Sequence, residues 1–485
     1  MIGREHEWQR LQAFVQEPSP EATLGLVWGR RRVGKSFLLQ KLATETGGFY
    51  YHALRGSSGE ALRELGEAIG AHTGAGAPLA LHNWDHAVER LMALGQNGAR
   101  VVVLDEFPYL LEHTPELESI LQRHFGPGHP SRTATQTRLI LCGSAIRVMS
   151  NLLNGTAPLR GRAGLTLPIA AFDFRVSRGL HDAPDLPTAV NLFAVIGGVA
   201  AYAREMCGHD LPTAAVDFDR WIRQRVLSPS APLFGEIDLL LGEDPTMART
   251  RKANLYHATL SAVARGHHTW TSICSYVKMS GSSLTPVMDT LLSTQLIERV
   301  ADPIRDNRPV YHPADSLLRF HYAVIRRHQA RLASVSADTS ALWQSLLPTF
   351  RSLAVGPCFE AMARHWVTHH ASPESLGGTP DHVGATLITA ADTGDQEIDL
   401  VIAADDHGAV PDQRTIRALG EANVGETLTL AHLRRLERAR TQLGRRATDA
   451  KLLLFGRAID ASLQAQAARR SDVELVDLER LYGGA

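Results

Sequence analysis

A chain of 485 residues is too long for one compact core, and its length points to about three domains. A formal net charge of −1 supplies no global attraction for nucleic acid, so any such contact must come from a local patch. Cys142, Cys207, Cys274 and Cys358 lie far apart, MIGREHEWQR has no apolar signal-peptide core, and apolar runs such as VVVL at 101–104 are too short for a bilayer; together these exclude a zinc ribbon and a disulfide framework and lead to the expectation of a soluble cytoplasmic protein without membrane contact.

Taken in chain order, residues 1–175 alternate short apolar runs with amphipathic helical stretches, the pattern of a parallel α/β sheet. The predicted strands are 24–29, 48–53, 100–106 and 138–144, with helical segments SFLLQKLATET and SGEALRELGEAIGAH between them. Their continuous apolarity predicts strands buried on both faces. The loop Gly29-Arg30-Arg31-Arg32-Val33-Gly34-Lys35-Ser36, followed by Phe37, satisfies G-x-x-x-x-G-K-[ST] between a predicted strand and a predicted helix. Such a loop wraps phosphate with backbone N–H groups and the positive end of a helix. Lysine occurs only at 35, 41, 252, 278 and 451, so its presence inside the motif is informative. The loop predicts ATP with Mg²⁺: Lys35 would reach the β- and γ-phosphates, and Ser36 would ligate the metal. In VVVLDE, Asp105 would hold Mg²⁺ through water and Glu106 would polarise the attacking water. Ser144, at the end of LILCGS, would sense the γ-phosphate.

IGRE (2–5), GRRRVGKS, LDEFPYL (104–110) and GS (143–144) together resemble the prokaryotic AAA-type ATPases known as the archaeal ATPase family, relatives of AAA+ and STAND NTPases. Arg160-Gly161-Arg162 matches that family's GR motif. AFDF (171–174) and GGVAAY (197–202) are similar to its later motifs, with Ala171 and Ala200 where proline is usual. The resemblance implies that Ile2, Gly3, Arg4 and Glu5 line the adenine side. It also implies that Arg162, with Arg160 second, is an arginine finger, which acting in trans would require self-assembly.

Residues 188–245 read as helical. Residues 255–312 fit a winged helix-turn-helix: helices LYHATLSAVARG and TWTSICSYVKM, a turn at Gly281-Ser282-Ser283, a third helix SLTPVMDTLLSTQL, and a wing. The third helix carries no arginine or lysine, so an interaction module and a DNA reader both stay open. His267-His268 and His369-His370 lack matching acid or cysteine spacing and are read as non-ligands. The resemblance implies a C-terminal domain like the PD-(D/E)xK nucleases. Glu360, Asp399 and Glu421 occur in the order that such a site needs, but Asn423 stands where its lysine should be. Arg434, Arg435 or Lys451 would have to replace that lysine, so the site reads as vestigial.

The expected architecture is therefore an α/β P-loop NTPase core of parallel sheet flanked by helices (1–178), a helical lid (179–245), a winged helix-turn-helix domain (246–335) and an α/β nuclease-like domain (336–485). The expected function is ATP hydrolysis whose nucleotide state controls assembly or contact with DNA through the winged-helix and C-terminal domains. An ATP-regulated nuclease and a slow-hydrolysing signalling scaffold with protein partners are the alternatives.

Overall fold

The computed structural model describes residues 3–155, 157–243, 247, 253–305, 308–334, 338–390, 394–405 and 410–484. The chain divides into two compact units, Met1–Phe172 with Val199–Ala201, and Asp173–Gly198 with Tyr202–Ala485. No described helix is long and apolar enough to cross a membrane.

In the first unit, β1 (Thr23–Trp28), β2 (Phe49–His52), β3 (Arg100–Asp105), β4 (Thr137–Gly143) and β5 (Ala163–Pro168) form one sheet in the order β2-β3-β4-β1-β5. All its pairings are parallel. Successive side chains of a strand point to opposite faces, and here both faces are apolar. Leu24, Leu26, Val102, Leu104, Leu139 and Leu141 enter one core, while Val27, Val101, Val103, Ile140 and Cys142 enter the other. Each such side chain contributes roughly 1.5–3 kcal/mol by leaving water. That double burial is why the inner strands read as unbroken apolar runs. β5 was not anticipated: as the edge strand it buries only alternate residues, Leu165 and Leu167, and its run AGLTLP is correspondingly mixed.

The helix Lys35–Thr46 follows β1, and the helix Ser58–Thr73 is opened by a capping box between Ser57 and Glu60. Parallel strands with such crossovers leave the strand C-terminal ends as the place where loops converge.

The second unit opens with helices, among them Phe174–Leu180 and Leu186–Ile196. Helices Ala253–Ala264, Trp270–Val277 and Gly281–Ser293 then precede an antiparallel pair, β6 (Ile297–Val300) and β7 (Val310–Pro313). Gly281–Ser283 is not the turn expected there but the first turn of the third helix. The chain reverses earlier, with Lys278 left-handed at φ 56° and Ser280 at the N-cap. Gly281 lies against Trp270, where a Cβ would stand 3.2 Å from the indole nitrogen, a tight contact that the glycine avoids.

The helix Gly356–His369 leads into β8 (His382–Ala390), β9 (Gly394–Ala403), β10 (Ile416–Leu428), β11 (Lys451–Ile459) and β12 (Val473–Val476), ordered β12-β11-β10-β9-β8. β8 to β10 pair antiparallel, and β10 to β12 pair parallel. The helix Leu430–Leu443 forms the crossover between β10 and β11.

Candidate functional site

The loop from Gly29 to Ser36 joins the end of β1 to the helix Lys35–Thr46. Its glycines have separate reasons. A Cβ on Gly29 would stand 2.1 Å from the carbonyl oxygen of Ile169, and Gly34 sits at φ 96°. Arg32 also takes a left-handed conformation, φ 69°, which a non-glycine residue holds at a cost of about 1–3 kcal/mol. Val33 is buried, Arg30, Arg31 and Arg32 are half-buried, and Phe37 is 66% exposed. The Lys35 ammonium bridges the loop, donating to the carbonyls of Gly29 and Arg30 at 2.8 Å each. Burial pulls this ammonium below the usual lysine range, while Cys142, Glu106 and Asp105 pull it back up. Arg31 donates to the hydroxyl of Tyr109, whose ring also faces the Arg55 guanidinium.

At the ends of β3 and β4 the expected acids meet this loop. Asp105 is fully buried. Burial alone would raise its carboxyl, but hydrogen bonds from Cys142, Ser36, Tyr50 and the Glu106 N–H outweigh it and hold the group below the usual carboxylate range. The Tyr50 hydroxyl donates to Oδ2 at 2.6 Å, and the Glu106 N–H donates to Oδ1 at 2.9 Å. Glu106 itself is left-handed, φ 52°, the conformation that turns β3 into the helix Phe107–His113. Its Oε2 accepts from the Ser144 hydroxyl at 2.8 Å and from the Ser144 N–H at 3.3 Å. Lys35, Ser36, Asp105, Glu106 and Ser144 thus converge. A hydroxyl and a carboxylate in contact are the hard oxygen donors that Mg²⁺ takes, so Ser36 and Asp105 could hold it. Tyr50 and Cys142 were missed; both stand on strands flanking β3, so only the sheet order could have found them.

The remaining expected residues of this unit lie as follows. The Arg4 guanidinium donates to the carbonyls of Val33 and Ala170 at 2.9 and 2.6 Å and lies 4.1 Å over the Phe172 ring. It therefore ties the start of the chain to the phosphate-type loop. Gly3, at φ 66°, makes the turn before it, and Ile2 lies outside the described residues. Glu5 begins the helix Glu5–Gln16. Arg162 donates to the Phe125 carbonyl at 2.9 Å, and exposed Arg160 to that of Gly155 at 2.7 Å.

In the second unit the charges of Glu360, Glu421 and Glu397 all bear on Asp399, and Glu397 bears on Glu360 as well. Burial and the neighbouring Glu360 push the Asp399 carboxyl up to about 7, although the Ala422 N–H bonds its Oδ2 at 2.9 Å. Glu360 and Glu421 are raised as well, chiefly by burial. Arg435 reaches Glu421 Oε1 at 3.2 Å, Lys451 pairs instead with Glu474 at 3.5 Å, and Arg434 is exposed. Of the three expected replacements Arg435 is thus the one beside the acids, and Arg364, unanticipated, stands 3.9 Å from Glu360 and donates to the Asp399 carbonyl at 3.0 Å. Glu397 was missed, although it lies two residues before Asp399 and so shares its face of β9. These carboxylates do not close to metal-ligand spacing among the described residues, whereas a different group does: Asp173, His365 and His370. Asp173 thus brings to His365 and His370 an acid from a distant part of the sequence, which the spacing around His369-His370 does not show.

No family model matches the chain. An uncharacterized protein of Methanocaldococcus jannaschii, MJECL04, is 24% identical over 331 residues, covering 67% of this chain and 68% of that protein. The Walker-type ATPase paby2304 of Pyrococcus abyssi matches 66% of this chain and 96% of its own, at a TM-score of 0.50 and 22% identity. The fold is that of a P-loop ATPase. The ORC2 protein of Aeropyrum pernix, at a TM-score of 0.39 and 15% identity over 69% of this chain and 95% or more of its own, is too distant in shape to build on. The parallel five-stranded sheet with flanking helices carries the ATPase likeness, and the C-terminal α/β region is separate from it.

Proposed function

We propose that this chain is a Mg²⁺-dependent ATP hydrolase of the AAA/STAND type whose nucleotide state controls contact with DNA or protein partners. The observation that carries this reading is the convergence of Lys35, Ser36, Asp105, Glu106 and Ser144 around one phosphate-type loop. Backbone N–H groups of residues 29–36 and the start of the following helix would cradle the phosphates, with Phe37 and the Gly3–Arg4 segment beside them. Lys35 would exchange its two loop carbonyls for phosphate oxygens. Ser36, and Asp105 through water, would hold Mg²⁺, which supplies charge neutralisation on the β- and γ-oxygens. Glu106 would accept a proton from the attacking water, and Ser144 would hold its carboxylate in place. ATP binding and phosphate release measured on wild type, Lys35→Ala and Glu106→Gln test this. Loss of binding in the first and of hydrolysis alone in the second are expected; ATP turnover unaffected by either variant would refute it.

Arg162 is the proposed arginine finger, acting in trans after leaving the Phe125 carbonyl. ATP-dependent growth of the solution mass, with loss of hydrolysis in Arg162→Ala, is the expected result. The three helices and β-pair at 253–313 are proposed as a winged helix-turn-helix that packs against protein or contacts DNA, and the free cysteines fit a reducing cytoplasm.

A second reading, metal-dependent DNA cleavage by the C-terminal region, is favoured by one observation. Arg435 contacts Glu421 within the group of Glu360, Glu397 and Asp399, supplying the cation that Asn423 does not. Cleavage of supercoiled plasmid with Mg²⁺ or Mn²⁺, abolished by Asp399→Ala, would support it. No cleavage with or without ATP would leave a nuclease-like fold used for binding.

A further inference from the structure

One group of side chains belongs to neither acidic site. Asp173, His365 and His370, all within the second unit, bring one ligand atom each to within 4.8 Å of the others. Asp173 caps the helix Phe174–Leu180, where its Oδ1 accepts the Val176 N–H at 2.9 Å. That bond fixes the carboxylate plane and leaves Oδ2 facing His365 Nε2 at 3.9 Å. The separation is too long for a hydrogen bond, so the pair is not an ordinary aspartate–histidine contact. The Nε2 of His370 is buried without a hydrogen-bond partner. A carboxylate oxygen of Asp173 and one ring nitrogen each of His365 and His370 thus lie close together, and of these histidines His370 brings a buried nitrogen without a hydrogen-bond partner.

We propose that Asp173, His365 and His370 bind a divalent transition metal, zinc in the first place. Two imidazoles with one carboxylate are a donor set for zinc and its neighbours rather than for Mg²⁺ or Ca²⁺, which take oxygen. Tetrahedral zinc, with bonds of about 2.0–2.2 Å, holds its ligand atoms roughly 3.3 Å apart, so closure from the observed spacing, 3.9 Å for Asp173 and His365 and at most 4.8 Å for the others, completes three corners. Water or the exposed His369, whose ring lies 4.3 Å from that of His365, would take the fourth. Phe174 presents an apolar wall, its ring edge-on to both imidazoles at 5.8 and 6.1 Å. Arg175, a neighbouring cation, is turned to the carbonyls of Leu481 and Gly484. The ion would tie the start of the helix Phe174–Leu180 to the end of Gly356–His369, the helix that carries Glu360.

Zinc retention by the purified full-length chain in excess Mg²⁺, which occupies the oxygen-only sites, is the test. One zinc per chain is expected, with a visible tetrahedral band when Co²⁺ replaces it and a zinc-dependent rise in melting temperature. Asp173→Asn keeps a capping side chain and His370→Gln keeps the volume. Each should melt like metal-free wild type yet bind zinc at least about tenfold more weakly. If either variant unfolds, His365→Gln takes its place. Wild type that retains no zinc, or variants that bind it equally well, would overturn the proposal.

Discussion

The Ser144 hydroxyl donates to Glu106 Oε2 at 2.8 Å, so the acid that follows β3 is held by the residue that follows β4. The left-handed backbone of Glu106 aims its side chain across the strand tips, and the Ser144 N–H adds a second donor at 3.3 Å. A base orients water well only if it is itself oriented. Ser144→Ala should lower kcat about tenfold and shift ATP affinity by less than about twofold, because the missing contact touches the base and not the phosphates. Glu106→Gln should lower kcat by roughly 10²–10⁴ with ATP binding retained. Phosphate release and fluorescent-nucleotide titration separate the two effects. Equal losses in kcat and affinity for Ser144→Ala would contradict this assignment.

Tyr50 places its hydroxyl 2.6 Å from Asp105 Oδ2, and Ser36 and Cys142 bond the same carboxylate. Burial, then its bond to Asp105, drives the Tyr50 phenol far above its ordinary range, so it acts only as a donor. Removing a donor from a buried carboxylate costs about 1–3 kcal/mol. Tyr50→Phe should therefore destabilise the metal-free protein by that amount in denaturant titration. Saturating Mg²⁺ with ATP should recover part of the loss, since the metal's water supplies a replacement donor. A variant as stable as wild type would show that water already serves Asp105.

Much of this first site was legible because it is local in sequence. Strand, glycine loop and helix lie within 23–46, and each inner strand declares itself by burying both faces. The donors to Asp105 were hidden because Tyr50 and Cys142 are distant in sequence and become neighbours only through the order β2-β3-β4. The approach of Asp173 to His365 and His370 was hidden for the same reason. The order Glu360, Asp399, Glu421 was readable, but choosing Arg435 over Arg434 and Lys451 required the packing of the crossover helix on β10. The misplaced turn at 281–283 came from reading Gly-Ser-Ser by composition, where the glycine opens a helix packed against Trp270.

Gly29 is fixed by Ile169 and not by the ligand. A methyl group there would meet a backbone carbonyl oxygen at 2.1 Å, and that oxygen belongs to the segment just after β5, whose next residue carries the Arg4 contact. Backbone yields less readily than a side-chain tip, so Gly29→Ala should destabilise the first unit by about 3 kcal/mol, the upper range for overpacking. Thermal unfolding without nucleotide reads this directly. Gly34→Ala offers the contrast: its Cβ would meet nothing within 4 Å, so only the φ of 96° opposes it. The expected cost there is about 1–2 kcal/mol. A reversed order of the two variants would mean that the loop's conformation, and not its contact with Ile169, fixes these glycines.

Asp399 makes the second unit's stability depend on pH in a direction that can be worked out. Burial, with Glu360 beside it, raises its carboxyl from 3.8 to about 7. Between those values the folded state keeps a proton that the unfolded state has released, so stability falls as pH rises from about 4 to about 7. Below that window both states are protonated and the effect vanishes; above it both are charged and the full cost persists. The coupled carboxylates share a penalty on the order of 2–4 kcal/mol at neutral pH, at about 1.4 kcal/mol per pH unit. Asp399→Asn preserves an acceptor for the Ala422 N–H and removes the charge. It should raise the melting temperature of the metal-free protein, with a gain that is small near pH 4 and largest near pH 7.5. Mn²⁺ should raise the melting temperature of wild type and much less that of the variant, because the ion offsets a repulsion that the variant no longer has. A gain independent of pH would assign the stabilisation to packing, and a loss at neutral pH would mean that Asp399 is charged and already compensated in the folded protein.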